Sequence, residues 1–175
     1  MEELYFREIT NDDECLIQEY INEFVENASE LNGLSGANYL ENFQQMIQLQ
    51  QERKNLEFQT YEQDNAPQIT FVLVRKIDEK IVGSFNLRKN LIKDLDDRLA
   101  GHIGYSVRPS ERRKGYATLG LKMALDIYRE WGVKFVRLGC YDKNIGSKKA
   151  ILKNGGVLIA QNKSLKTKNY YEITL

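Results

Sequence analysis

Residues 102–140, HIGYSVRPSERRKGYATLGLKMALDIYREWGVKFVRLGC, set one helical run between two strand-like runs. HIGYSVR (His102–Arg108) reads as a strand stopped by Pro109, which has no amide to give to a ladder. From about Gly115 to Trp131 apolar residues recur at helical spacing. Ala117, Leu121, Ala124, Leu125 and Tyr128 share one face, and Thr118, Lys122, Asp126 and Arg129 the other. VKFVRLGC (Val133–Cys140) has the unbroken apolar character of a buried strand. This unit commits the chain to a sheet covered by helices.

The flanking sequence extends the same alternation. LYFREI (Leu4–Ile9) is a short strand, and Thr10-Asn11-Asp12-Asp13 resembles a capping box. Leu16, Ile17, Tyr20, Ile21, Phe24, Val25 and Ala28 then mark an amphipathic helix, which the glycines of ELNGLSG end. A second helical pattern, with Tyr39, Leu40, Phe43 and Ile47, spans about residues 38–54. ITFVLVRK and KIVGSFNLR, joined by Ile77-Asp78-Glu79, form a hairpin, and LIKDLDDRLA is a long polar connection. Asn144 caps a short helix that stops at Gly155-Gly156. VLIAQ and NYYEITL close the fold as a strand pair. The predicted order is βααβββαβαββ: an α/β (α+β) fold, a mixed central sheet of about seven strands flanked by four helices. At 175 residues the chain is expected to be a single domain, 1–175.

Charge excludes several function classes. Lys and Arg total 25 and Asp and Glu total 25, so there is no basic excess of the kind nucleic-acid binders carry. The longest apolar run, ITFVLV, is too short to span a membrane, and MEELYFREIT lacks a signal peptide's apolar core. Cys15 and Cys140 match no metal or redox spacing. A cytoplasmic protein with no metal, no membrane attachment and no nucleic-acid partner is expected.

Against this balance, Arg108, Arg112, Arg113 and Lys114 crowd into seven positions just before a helix. The first amides of a helix lack intrahelical partners, and the helix dipole adds partial positive charge there. Such an end binds phosphate best where glycine lets the backbone approach. The amides of Arg113, Lys114, Gly115, Tyr116, Ala117 and Thr118 are therefore candidates to hold a diphosphate-bearing ligand. The bland alternative is a solvated basic turn. Neither GxxxxGK[ST] nor GxGxxG is present, which excludes a P-loop and a Rossmann fingerprint.

GHIGYSVRPSERRKGYATLGLKMAL closely resembles the acyl-CoA-binding motif of the GNAT superfamily of N-acetyltransferases. That motif, Q/R-x-x-G-x-G/A, is here Arg112-x-x-Gly115-x-Ala117. VRLGCYDKNIGSKKAILKNGG resembles the family's second region, with Asn144, Ser147 and Gly155 in place. Within the superfamily these stretches look like a bacterial branch of predicted acetyltransferases.

The resemblance implies a GNAT fold and acetyl-CoA as co-substrate, lying between the strands that end at Val107 and Cys140. The pantetheine arm would pair with the backbone of Tyr105–Val107. The pyrophosphate would sit on the Arg113–Thr118 amides, and Asn144 would bond nearby. An amine would attack the thioester directly, with the Val107 amide as donor to its oxygen. Many GNATs carry a tyrosine seven residues after the asparagine as general acid; here Ile151 stands in its place, so that assignment fails. Tyr141, Tyr105 and Cys140 fall near the thioester end, and Tyr141 is the catalytic candidate beside His102, whose unperturbed pKa suits a base. Asn86 and Arg88 are candidates to line the acceptor side. Glu26, Glu30, Asp94, Asp96 and Asp97 suggest a polyamine-like or aminoglycoside-like amine, with solvated loop charge as the bland alternative; the expected acceptor is a small-molecule or peptide amine. A homodimer is expected through the exposed edges of the late strands. The rival readings are a non-catalytic acyl-CoA-binding module or sensor, and a nucleic-acid binder using Arg108–Lys114.

Overall fold

A computed structural model describes residues 2–37, 42–55, 67–89, 101–162 and 167–175. The elements run β1 (Leu4–Glu8), α1 (Glu14–Glu26), α2 (Phe43–Lys54), β2 (Gln68–Arg75), β3 (Lys80–Arg88), β4 (Ile103–Val107), α3 (Tyr116–Glu130), β5 (Phe135–Tyr141), α4 (Ile145–Lys153), β6 (Val157–Asn162) and β7 (Lys168–Thr174). The connection Leu91–Ala100 and the start of the expected second helix (residues 38–41) lie outside the described residues.

The strands form two antiparallel sheets, ordered β1-β2-β3-β4 and β5-β7-β6, where one mixed sheet was expected. β4 and β5 lie side by side, but no ladder joins them. They touch at one end, where the His102 amide donates to the Arg137 carbonyl at 2.7 Å. The Arg137 amide in turn donates to Nδ1 of the His102 ring at 3.0 Å. Beyond this junction, Ile103–Tyr105 and Leu138–Tyr141 form opposite walls of a cavity.

Helices cover both faces of the larger sheet. Leu73, Val82, Phe85 and Leu87 pack with Leu121, Ala124, Leu125 and Tyr128 of α3, and this core continues into Val136, Leu138 and Ile173 of the second sheet. On the opposite face Val72, Val74 and Ile81 pack with Ile17, Tyr20, Ile21 and Phe24 of α1 and Met46 of α2. Burial on both faces is why β2 reads as the unbroken run FVLV rather than as an alternating pattern. Leu16 and Val25, assigned to the apolar face of α1, are instead exposed at 37% and 70%.

The segment between β4 and α3 is anchored by charge. Buried Arg108 pairs with Glu19 at 2.8 Å and Glu23 at 3.3 Å, both on α1. Glu23 also accepts from the Ser110 amide at 2.6 Å. Buried Glu111 gathers Arg75 at 2.9 Å, Lys80 at 3.2 Å and Lys114 at 2.7 Å. Burial pushes the Glu111 carboxyl up, but Lys114, Arg75 and Lys80 outweigh it and hold it at about 2.

Because the folded-state pKa of Glu111 lies below the ordinary value, its contribution is present above about pH 4.5 and is lost as pH falls toward 2. Glu111→Gln is expected to cost about 3 kcal/mol at neutral pH, as when a buried ion pair loses one partner. In thermal melts from pH 7 to pH 2, the gap between variant and wild type should narrow across that acid window.

Candidate functional site

Past the end of β4 the chain makes a short 3₁₀ turn, Pro109–Glu111, and then curls into α3. Arg113 and Gly115 both take left-handed conformations, with φ of 68° and 90°. Left-handed residues set among others turn successive amides toward one side, a shape suited to anions. Among the described residues no acceptor meets the amides of residues 113–117. Thr118 departs from expectation: its amide donates to the Gly115 carbonyl at 3.0 Å, so the first helical turn already uses it. The open run is therefore Arg113–Ala117.

The side chains around this cradle are mostly engaged elsewhere. Arg108 and Lys114 are ion-paired, as described above. Tyr116 is buried, its hydroxyl donating to Glu2 and accepting from Arg75, so only its backbone can serve a ligand. Arg112 donates through Nε to the Val107 carbonyl at 3.2 Å and through Nη2 to Ser29 Oγ at 2.6 Å. It thereby ties the cradle to the end of β4 and to the residues after α1. A Cβ built on Gly115 meets no protein atom within 4 Å, so the space above it is open.

The cavity between β4 and β5 measures about 500 Å³. Tyr105, Tyr141, Asn144, Ser147, Asn86 and Arg88 all line it, which gathers six of the sequence-derived candidates on one wall system. The connection after α1 closes one side. The Ser84 hydroxyl donates to the Asn32 carbonyl at 3.1 Å, and the Asn32 amide donates to Ser106 Oγ at 2.6 Å. Gly33 is obligatory there: its φ is 77°, and a Cβ would stand 2.5 Å from the Gly104 carbonyl oxygen.

The β3–β4 ladder fixes which groups of β4 face the cavity side. The Arg108 amide donates to Val82 and the Arg88 amide to the His102 carbonyl, so the even-numbered residues point toward β3. By antiparallel alternation, the amides and carbonyls of Ile103, Tyr105 and Val107 turn to the other edge, toward the splay.

Tyr105 joins its hydroxyl to Ser147 Oγ at 2.8 Å. Burial pushes its pKa up to about 12, so it holds its proton at neutral pH. Ser147 also donates its amide to Asn144 Oδ1 at 3.0 Å, which caps α4. Burial likewise raises the Cys140 thiol, keeping it neutral. Ile151 is in the core at 1% exposure, away from any role in proton transfer.

His102 is not on the cavity wall. The Arg137 N–H occupies its Nδ1 lone pair, which leaves the proton of the neutral ring on Nε2. That bond corrects the base assignment: the ring joins two strands and has no lone pair left to take a substrate proton. Glu30 lines the cavity, whereas Glu26 does not, and Asp94, Asp96 and Asp97 lie outside the described residues. Three cavity residues went unnoticed in the sequence: Arg53 on α2, Gln68 on β2 and Lys168 on β7. Each is isolated in sequence, and only the fold brings them together.

Residues 38–155 match the sequence profile of the acetyltransferase (GNAT) family. The chain belongs to the GNAT family of acetyltransferases. No curated relative matches it by sequence. Its fold is similar to ribosomal-protein-S5-alanine acetyltransferase from Vibrio fischeri, with 18% identity, a TM-score of 0.74 and coverage of 99% of this chain and 94% of that one. It is also similar to Mycobacterium smegmatis RimJ in complex with CoA-disulfide, with 16% identity, a TM-score of 0.71 and coverage of 98% and 81%. A third is spermidine N-acetyltransferase from Vibrio cholerae in complex with CoA and spermine, with 17% identity, a TM-score of 0.66 and coverage of 98% and 95%. These likenesses establish the shared fold.

Two outcomes test the geometry. Gly115→Val should weaken CoA binding about a hundredfold by calorimetry, while the strained φ costs only ~1–2 kcal/mol of stability. His102→Ala should lower stability by about 1–3 kcal/mol, because the Arg137 amide loses its acceptor, yet leave the shape of the pH–rate profile unchanged.

Proposed function

We propose that this chain transfers the acetyl group of acetyl-CoA to a primary amine by direct attack. The observation that carries this reading is the run of amides at residues 113–117 that meet no acceptor among the described residues, placed past the end of the β4 wall of the cavity. The fit to CoA is one of shape and donor type: amides and an open glycine for the pyrophosphate, and the outward edge of Tyr105–Val107 for the amide-bearing pantetheine arm. When bound, acetyl-CoA supplies a thioester carbonyl open to attack. Arg112 and Arg113 are exposed and have no carboxylate partner among the described residues, so they add long-range attraction, whereas Arg108 and Lys114 are already paired.

The Val107 amide, turned toward the splay, would donate to the developing oxyanion. Tyr105 would hold a hydrogen bond to the departing sulfur. A phenol near 12 lies about 3–4 units above an ordinary thiol, so complete proton transfer from Tyr105 is uphill. The balance does not demand it, because the amine sheds one proton on becoming an amide and the thiolate takes one up, through water. Tyr141 reaches the same cavity from β5 and remains a second phenol available to the sulfur.

With no histidine at the site, the deprotonated amine must come from solution. An alkylammonium with pKa about 10.4 is roughly one part in a thousand free base near neutrality. For such an acceptor kcat/KM should rise about tenfold per pH unit from pH 6 to 9. A plateau near pH 7, abolished in His102→Gln, would instead restore the histidine as base. Tyr105→Phe should lower kcat about tenfold with CoA affinity retained, consistent with loss of one hydrogen bond.

The rival reading, a CoA-binding sensor, is favoured by the core position of Ile151. Calorimetric CoA binding together with thiol release over an amine panel decides between them: binding without turnover of any amine sinks the transferase. A homodimer is supported by β6, an edge strand whose Val157, Leu158 and Ile159 are all exposed.

A further inference from the structure

The cavity that must admit the acceptor carries mostly charge of the same sign as a protonated amine. Among the described residues its ionic side chains are Arg53, Arg88, Lys168 and Glu30. Arg88 is engaged with the Gly101 carbonyl at 3.2 Å. Arg53 and Lys168 have no carboxylate partner among the described residues.

Arg53 is held as part of a hydrogen-bonded chain. Its Nη1 donates to Ser35 Oγ at 2.5 Å. With the Gln68 amide oriented to satisfy its neighbours, Arg53 Nε and Nη1 donate to the Gln68 oxygen at 3.3 and 3.2 Å. The Gln68 nitrogen then donates to Asn86 Oδ1 at 2.6 Å, and Asn86 Nδ2 donates to Thr70 Oγ1 at 3.1 Å. Gln68, Thr70 and Asn86 are all buried. The chain therefore fixes the guanidinium through Nε and Nη1 and leaves the two Nη2 protons without an acceptor among the described residues.

Lys168 stands on β7, with its ammonium 5.9 Å from the Tyr141 ring and 5.4 Å from the Tyr170 ring. Burial lowers its pKa, and no carboxylate among the described residues offsets that burial. A planar guanidinium with fixed donors matches a carboxylate, and a second cation lining the same cavity strengthens that preference. A polycation entering this cavity would meet repulsion.

We infer that the acceptor is a small amine that also carries a carboxylate, read by Arg53 with Lys168 as the second cation. The inference rests on the acetyl-transfer reading for the amine's role, but the recognition it describes is separable from turnover. Because the cavity of about 500 Å³ must also admit the end of the pantetheine arm, the acceptor is amino-acid-sized.

The test uses free L-amino acids, their α-carboxamides and spermidine as probes. Thiol release measures turnover, and calorimetry on CoA-loaded protein measures binding. Wild type should favour each acid over its amide by at least about tenfold in kcat/KM or Kd, as expected for a charge-assisted bond. Arg53→Ala should bring that ratio close to one, and Arg53→Lys should restore it only partly because the fork is lost. Lys168→Gln, made alone, should also reduce the ratio. Unchanged CoA affinity and a retained cooperative melt in these variants separate lost recognition from lost fold. Equal use of acids and amides, preference for spermidine, or a ratio unmoved by Arg53→Ala overturns the inference. Acid-selective binding without turnover upholds it and sinks the transferase reading instead.

Discussion

The site depends on two strands that meet at one end and nowhere else. At that end the imidazole of His102 accepts the Arg137 amide, and the Arg137 carbonyl accepts the His102 amide. A side chain thus supplies one of two bonds that a backbone pair would ordinarily make, and the ladder goes no further. From there β4 and β5 separate, and the outward edge of Ile103–Val107 is left without strand partners. Buried or half-buried backbone groups demand partners. A splay of this kind is therefore a standing invitation to a ligand that carries amides of its own.

Charge around the splay is organised in a similar way. The basic cluster before α3 has the appearance of a phosphate trap, yet Arg108 and Lys114 spend their charge inside the fold, on Glu19, Glu23 and Glu111. Those pairs position the cradle; they do not fill it. The attraction left for an anion is the helix terminus itself, its amides that meet no acceptor among the described residues, and the exposed Arg112 and Arg113. At the far end of the cavity Arg53 is positioned by a buried polar chain in the same manner, with part of its donor set turned outward. Both ends of the site thus use interior hydrogen bonds to aim a limited number of free donors.

Much of the fold was legible because hydrophobic spacing is local. The buried face of α3, the Asn144 cap and the hairpin at Ile77–Glu79 follow from patterns within ten or fifteen residues. The cradle was legible for the same reason, since a glycine after a basic turn at a helix start is a local arrangement. Less legible was the fate of individual side chains. The single histidine suggested a base, but its ring became a strand clamp, because the atom it bonds lies 35 residues away. Leu16 and Val25 kept helical spacing yet found no partner surface. Arg53, Gln68 and Lys168 carry no motif and could be joined only by the packing of α2, β2 and β7.

By itself the sequence determined the family, the alternation of strands and helices, and the glycine-opened helix start that suits a diphosphate. These are properties of contiguous residues, set by backbone conformation and by local periodicity. Tertiary structure alone decided which charges are neutralised, that the His102 ring is tied to the Arg137 amide, and that Arg53 and Lys168 line the cavity with no carboxylate partner among the described residues. The reason is that a side chain's chemistry is set by the groups facing it across the core and the cavity, and those come from elements far apart along the chain.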